Sequence, residues 1–176
     1  QAFEYDGLEN QMEGQHRPGH FDGVGTIVKR LFEIVQPTQA YFGEKDFQQL
    51  QIVKKLVSKY KMPLSIIGCP IFREASGLAM SSRNERLSAE ARQKAALIFE
   101  VLNDAATVFK THASKETISF VEAVFKKHPE FELEYFEIAD EETLLSTENK
   151  DENAKYRGFI AIFIENIRLI DNISLN

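Results

Sequence analysis

The chain has 176 residues, 43% hydrophobic and 27% charged, with a net charge of −6, a composition that folds and excludes a disordered or fibrous chain. Its single cysteine excludes an intrachain disulfide and fits a reducing compartment; no run approaches the ~18 apolar residues of a membrane span, and no secretion signal is visible. Residues 1–87 carry 11 Lys+Arg against 10 Asp+Glu and residues 88–176 carry 10 against 17, so the second half disfavours nucleic acid while the first can still gather cations round a small anion.

In chain order, Val24, Ile27, Val28, Leu31, Phe32 and Val35 recur at helical spacing and predict one buried helix face, stopped by Pro37. "AYF" (40–42) reads as a short buried strand running into "GEKD". Phe47, Leu50, Val53, Leu56, Val57 and Tyr60 mark a second helix, and "LSIIG" (64–68) a second strand, with Cys69 expected as a buried structural thiol. Helix, strand, helix, strand is the rhythm of a parallel α/β sheet, but two strands make only part of one. Beginning at Gln1, the chain reads as a piece of a longer protein.

From residue 88 the rhythm changes. Ser88, Glu90 and Ala91 open a long helix to about Lys110, and a shorter one runs from about Ser114 to Lys127. "FELEYFEIAD" is a strand, and "YRGFIAIFIENIRLIDN" is two strands joined by a tight hairpin at Glu165-Asn166. The expected architecture is therefore α/β: a partial parallel-sheet half-domain over residues 1–72, then a small α+β domain over 73–176. The latter holds two helices and about three antiparallel strands.

Two stretches carry candidate chemistry. Gly43, Glu44, Lys45 and Asp46 stand at the carboxyl end of a strand and the start of a helix, where open α/β sheets bind ligands. Glycine lets a ligand approach the backbone, helix-start amides and Lys45 favour an anion, and Asp46 can accept two bonds from a sugar diol. The plainer alternative is a polar turn capped by Asp46. Gln49, one turn on, can share the same pocket. In "MSSRN", Ser81, Ser82 and Arg83 have the hydroxyls and the fork to surround a phosphate, as a loop between domains closing over it. Its alternative is a helix cap made by Asn84 or Ser88. Such a loop has few buried contacts, so residues 75–84 are expected to be the most mobile ordered segment or to lie displaced from "GEKD". His16 and His20 in "HRPGH" are separated by Pro18 and Gly19, which break the helix that would align them, and no third ligand follows. A structural role is expected for them rather than a metal site.

Together, "RPGHFDGV", "FGEKDFQQL", "GLAMSSRNERLS" and "RLIDN" occur in an order and spacing that resembles the pantothenate synthetase (pantoate–β-alanine ligase) family. The resemblance runs over essentially the whole chain and implies a Rossmann-like nucleotide-binding domain followed by a small α+β domain. It implies a cytoplasmic ligase that makes pantothenate from pantoate, β-alanine and ATP through a pantoyl adenylate.

Carried over residue by residue, the resemblance makes Lys45 the catalytic cation that neutralises phosphate charge. Gly43, Glu44, Lys45, Asp46, Phe72, Met80, Ser81, Ser82 and Arg83 become ATP-binding, and Gln49 binds pantoate. Phe72, at the end of the second strand, would meet adenine through its backbone. Met80 to Arg83 resembles the K-M-S-K-S loop of class I aminoacyl-tRNA synthetases, with arginine replacing a lysine. The family's H-x-G-H motif does not occur in this sequence. The resemblance therefore implies that the transition-state histidines and the Mg2+ ligands lie outside these residues and that the piece alone is inactive. It also implies that the parent enzyme is a homodimer. Another adenylate-forming or nucleotidyl-transferring enzyme, or a non-catalytic interaction domain, stays open as an alternative.

Overall fold

The computed structural model describes residues 2–147, 150, 151 and 153–176. The chain divides into two units, Gln1–Pro70 and Ile71–Asn176, each built on its own apolar pattern.

The first unit runs α1 (Glu13–His16), α2 (His20–Val35), β1 (Gln39–Gly43), α3 (Phe47–Lys59) and β2 (Ser65–Cys69). The strands pair in parallel, from Gln39 against Ser65 to Gly43 against Cys69. The connection between them is α3, whose Leu50, Ile52, Val53, Leu56 and Val57 are buried. Phe32, Val53 and Val57 form a cluster against which Val28, Phe42 and Ile66 pack. α2 stops where Gln36 turns left-handed at φ 49° and gives its amide to the Phe32 carbonyl, just before Pro37.

Three expectations need correction here. The α2 periodicity is real, but its apolar residues do not make one buried face: Ile27 is 69% exposed, Leu31 52% and Val35 60%. Only Phe32, with half-buried Val24 and Val28, reaches the cluster. β1 is not buried either. Its exposure alternates along the strand, because helices cover one face only and Tyr41 points the other way. Cys69, last residue of β2, is half-buried rather than enclosed.

Upstream of α1 the segment is pinned to the unit. Tyr5 is buried and donates its hydroxyl to the Phe21 carbonyl at 3.1 Å. Burial, reinforced by Asp22, pushes this phenol up to about 12. Gly25 is required beneath it, since a Cβ there would lie 2.0 Å from the Tyr5 hydroxyl.

The second unit holds α4 (Ala89–Lys94), α5 (Leu97–Phe109) and α6 (Ser114–Phe125), then strands β3 (Phe131–Asp140), β4 (Tyr156–Ile164) and β5 (Ile167–Ser174). The strands form an antiparallel sheet in sequence order, with a bulge between Leu133 and Tyr135. Leu102, Val121, Phe125, Ile138, Ile160, Ile162 and Leu169 fill the core. At the β4–β5 hairpin, Glu165 (φ 49°) and Asn166 (φ 61°) are both left-handed, the two-residue turn whose twist matches the strands.

The long helix expected from Ser88 to Lys110 is broken. At Ala95–Ala96 the bonds tighten, with Ala96 N donating to Gln93 O and Ile98 N to Ala95 O. Ala91, Ala95 and Ile98 all lie in the core. The tighter turn lets them share one face, so packing overrides alanine's helix propensity.

Candidate active site

In the first unit β1 ends at Gly43, Glu44–Asp46 make one 3-10 turn, and α3 begins at Phe47. This is the strand-end, helix-start position the sequence indicates. Gly43 has φ −69° and ψ 135°, which any residue adopts, and a Cβ on it would meet nothing within 4 Å. Neither backbone strain nor packing asks for glycine here. The open side leaves the main chain approachable.

Asp46 occupies the N-cap position of α3 but makes no capping bond, so the plain capping role is not what its carboxylate does. Lys45 and Glu44 are half-buried. The Glu44 side chain lies over Gly68 of β2, where a Cβ would stand 3.2 Å from its Oε1. Gln49, half-buried one turn beyond Asp46, is carried on the same helix.

His16 ends α1 and His20 begins α2, on either side of Pro18–Gly19. Burial holds the His20 imidazole below its ordinary value, with Arg17 adding to the effect and the carboxylates of Glu13 and Asp46 opposing it. "RPGH" and "GEKD" thus lie within electrostatic reach of each other. A cleft of about 290 Å³ opens beside His20, lined among others by Phe3, Gly14, Arg17 and Asp22.

In the second unit Ser81 precedes a 3-10 turn, Ser82–Arg86, and its Oγ accepts the Arg83 amide at 3.2 Å. Met80 and Ser82 are exposed, and Arg83 is half-buried. One Arg83 nitrogen, Nη1, donates to the Arg168 carbonyl on β5 at 3.2 Å. The capping alternative also has substance, because Ser88 Oγ accepts the Ala91 amide at the start of α4. Asn84 is no cap: it is 1% exposed, and its Nδ2 donates to Glu74 Oε1 (2.7 Å) and the Ala79 carbonyl (3.0 Å).

Residues 75–84 have more buried contacts than a loop between domains was expected to have. Leu78, Ala79 and Asn84 are buried, Arg73 bridges Ala79, and Met80 N donates to Phe72 O at 2.9 Å. Phe72 follows shortly after β2, which ends at Cys69, and its ring is 75% exposed.

Sequence reasoning missed several residues that organise these motifs. Gln48 is buried and ties down the segment before α2. Its Nε2 donates to the carbonyls of Leu8 and Gln11, both at 2.8 Å, and its Oε1 accepts the Glu13 amide at 3.1 Å. A signal existed, because Gln48, Ile52 and Leu56 form a second stripe at four-residue spacing. Arg73, Glu74 and Asp171 were also passed over; their partners are remote in sequence. Among the described residues no cluster of three or more His, Cys, Asp or Glu could hold a metal ion, and no helix is long and apolar enough to cross a membrane.

Comparison with known proteins matches the chain to a family. The model described as "Pantoate-beta-alanine ligase" matches residues 1–174. A pantothenate synthetase of Flavobacterium psychrophilum is 63% identical over 99% of this chain, and one of Christiangramia forsetii is 56% identical over 100%. The chain spans 62% of the length of each. Among solved structures, pantothenate synthetase from Thermus thermophilus superposes with a TM-score of 0.89 at 40% identity, covering 99% of this chain and 62% of that one. A pantoate–β-alanine ligase from Francisella tularensis, complexed with β,γ-ATP and β-alanine, gives 0.68 at 32% identity over 96% of this chain and 55% of its own. With α/β architecture, motif order and family match agreeing along its length, the chain belongs to the pantoate–β-alanine ligase family.

Proposed function

We propose that the protein to which this chain belongs condenses pantoate with β-alanine at the expense of ATP, through a pantoyl adenylate. The observation that carries this reading is the turn at Gly43–Asp46. Its backbone is open at Gly43, and its aspartate sits at a helix start without capping it. The Francisella relative's complex with β,γ-ATP and β-alanine supports the choice of substrates.

In the first step a pantoate carboxylate oxygen attacks the α-phosphorus and the bond to pyrophosphate breaks. In the second, the β-alanine amine attacks the acyl carbon, AMP leaves with the C–O bonding pair, and the amine loses a proton. Such chemistry asks the protein chiefly for position and charge neutralisation. Lys45 neutralises developing phosphate charge. Gly43 and Asp46 hold the ribose, Glu44 shapes their turn, and Gln49 holds pantoate through its amide. Phe72 offers backbone to the adenine. Met80, Ser81, Ser82 and Arg83 receive the pyrophosphate. Ser81 can both cap its turn and bind, since an oxygen that accepts the Arg83 amide still has a proton to donate.

Among the described residues no group of three or more His, Cys, Asp or Glu could hold a metal ion, so the Mg2+ that accompanies ATP would take its protein ligands outside these residues, and no step here runs through it. A homodimeric, cytoplasmic parent enzyme completes the reading. The test uses the full-length protein with ATP and pantoate, with and without β-alanine. Pyrophosphate release without β-alanine, and AMP with pantothenate once it is added, are the expected results. Release that is indifferent to pantoate would point to another adenylate-forming enzyme. No nucleotide binding at all would leave an interaction domain.

A further inference from the structure

The "RLIDN" motif has no part in the chemistry above, yet its strand holds the loop that bears Met80–Arg83 at two points. Asp171, whose side chain is 3% exposed, receives Arg73 fork to fork: Nη1 to Oδ2 at 2.7 Å and Nη2 to Oδ1 at 3.0 Å. Asp171 Oδ1 also accepts the Asn172 amide at 2.8 Å. The Arg73 guanidinium stacks 3.8 Å from the Phe99 ring centroid and donates to the Gly77 carbonyl at 3.0 Å. Gly77 turns at φ +90°, and a Cβ there would stand 2.6 Å from Phe99. Three residues before Asp171, the Arg168 carbonyl takes Arg83 Nη1 at 3.2 Å.

One strand therefore fixes both ends of the segment from Arg73 to Arg83. A bidentate pair with one partner buried sets direction as well as distance, and Arg73 transmits it to the turn at Gly77. We infer that Asp171 is a positioning residue for nucleotide: through Arg73 it sets the loop that presents Met80, Ser81, Ser82 and Arg83 to the phosphates. This rests on the proposed role of those residues.

The test uses the full-length protein. Asp171→Asn keeps shape but loses the charged fork. The expected result is an ATP KM raised about tenfold or more, a pantoate KM within about twofold of the parent, and faster amide exchange across residues 77–83. Purely structural damage lowers the active fraction for every substrate alike. An unchanged ATP KM, with kcat lowered only in proportion to folded protein, overturns the inference. Should Asp171→Asn not fold, Arg73→Lys, which keeps the charge but cannot fork, is held to the same criteria. Arg83→Ala separates the two claims. If it leaves the ATP KM unchanged, the clamp itself falls; if it raises it while the Asp171 variant does not, only the role of Asp171 falls.

Discussion

Glu74 and Arg92 meet through two parallel bonds, Nη2 to Oε1 at 2.9 Å and Nε to Oε2 at 3.0 Å, and the same carboxylate takes Asn84 Nδ2 at 2.7 Å. The Arg92 bond, helped by Asn84, holds the Glu74 carboxyl below its ordinary value of 4.5. A depressed folded value adds stability above the ordinary value, which is lost as pH falls through the folded one. Thermal unfolding of the parent chain and of Glu74→Gln should therefore differ near neutrality and converge as pH falls below 4.5. Curves that stay equally separated down to about pH 3 would remove this carboxylate from the account.

Gly43→Ala should separate stability from binding. The backbone there is ordinary and the space open, so the melting temperature should hold or rise slightly, as glycine replacement at a compatible site adds roughly 0.4–1 kcal/mol. Nucleotide affinity of the full-length protein should fall, because a methyl group then stands where the ligand meets main chain. Titration with a non-hydrolysable ATP analogue measures this, and unaltered affinity would refute close approach at Gly43.

Lys45→Ala should slow adenylation far more than it weakens pantoate binding. A bond to a charged group is worth roughly 1.5–3 kcal/mol, and more where charge develops in a dry site. Pyrophosphate release in the first turnover should slow at least about tenfold. No change would make Lys45 a surface lysine.

The strands, the turn chemistry at Glu165–Asn166 and the place of "GEKD" were legible because each rests on local preference: period, left-handed asparagine, strand followed by helix. What stayed hidden is long-range. Periodicity in α2 reports an apolar face but not what covers it, so Ile27 and Leu31 were expected inside and lie outside. The break at Ala95–Ala96 lacks any glycine or proline signal; only the core around Ala95 demands it. Arg73 and Asp171 are 98 residues apart, beyond any windowed reading. Gln48 escaped notice because its partners are backbone groups of another segment.

The 176-residue chain on its own should give no pantothenate, since its sequence has no H-x-G-H. Incubation with ATP, pantoate and β-alanine, following AMP, checks this. Turnover near that of a full-length relative would show that the chain carries a complete catalytic set.

The two anchors on β5 also order events in time. The β4–β5 hairpin closes over a two-residue turn, whereas the Arg73–Asp171 pair closes 98 residues of chain and the Arg83–Arg168 bond 85. Loop-closure entropy rises with length, and contacts of long separation slow folding. Asp171 and Arg168 are placed for these contacts by their register against Ile160 and Phe163 of β4. The hypothesis that follows is kinetic: the segment Arg73–Arg83 settles only after the meander has formed. It would be the last part of the unit to gain amide protection in pulse-labelled refolding, and protection there ahead of β4 and β5 would reverse that order.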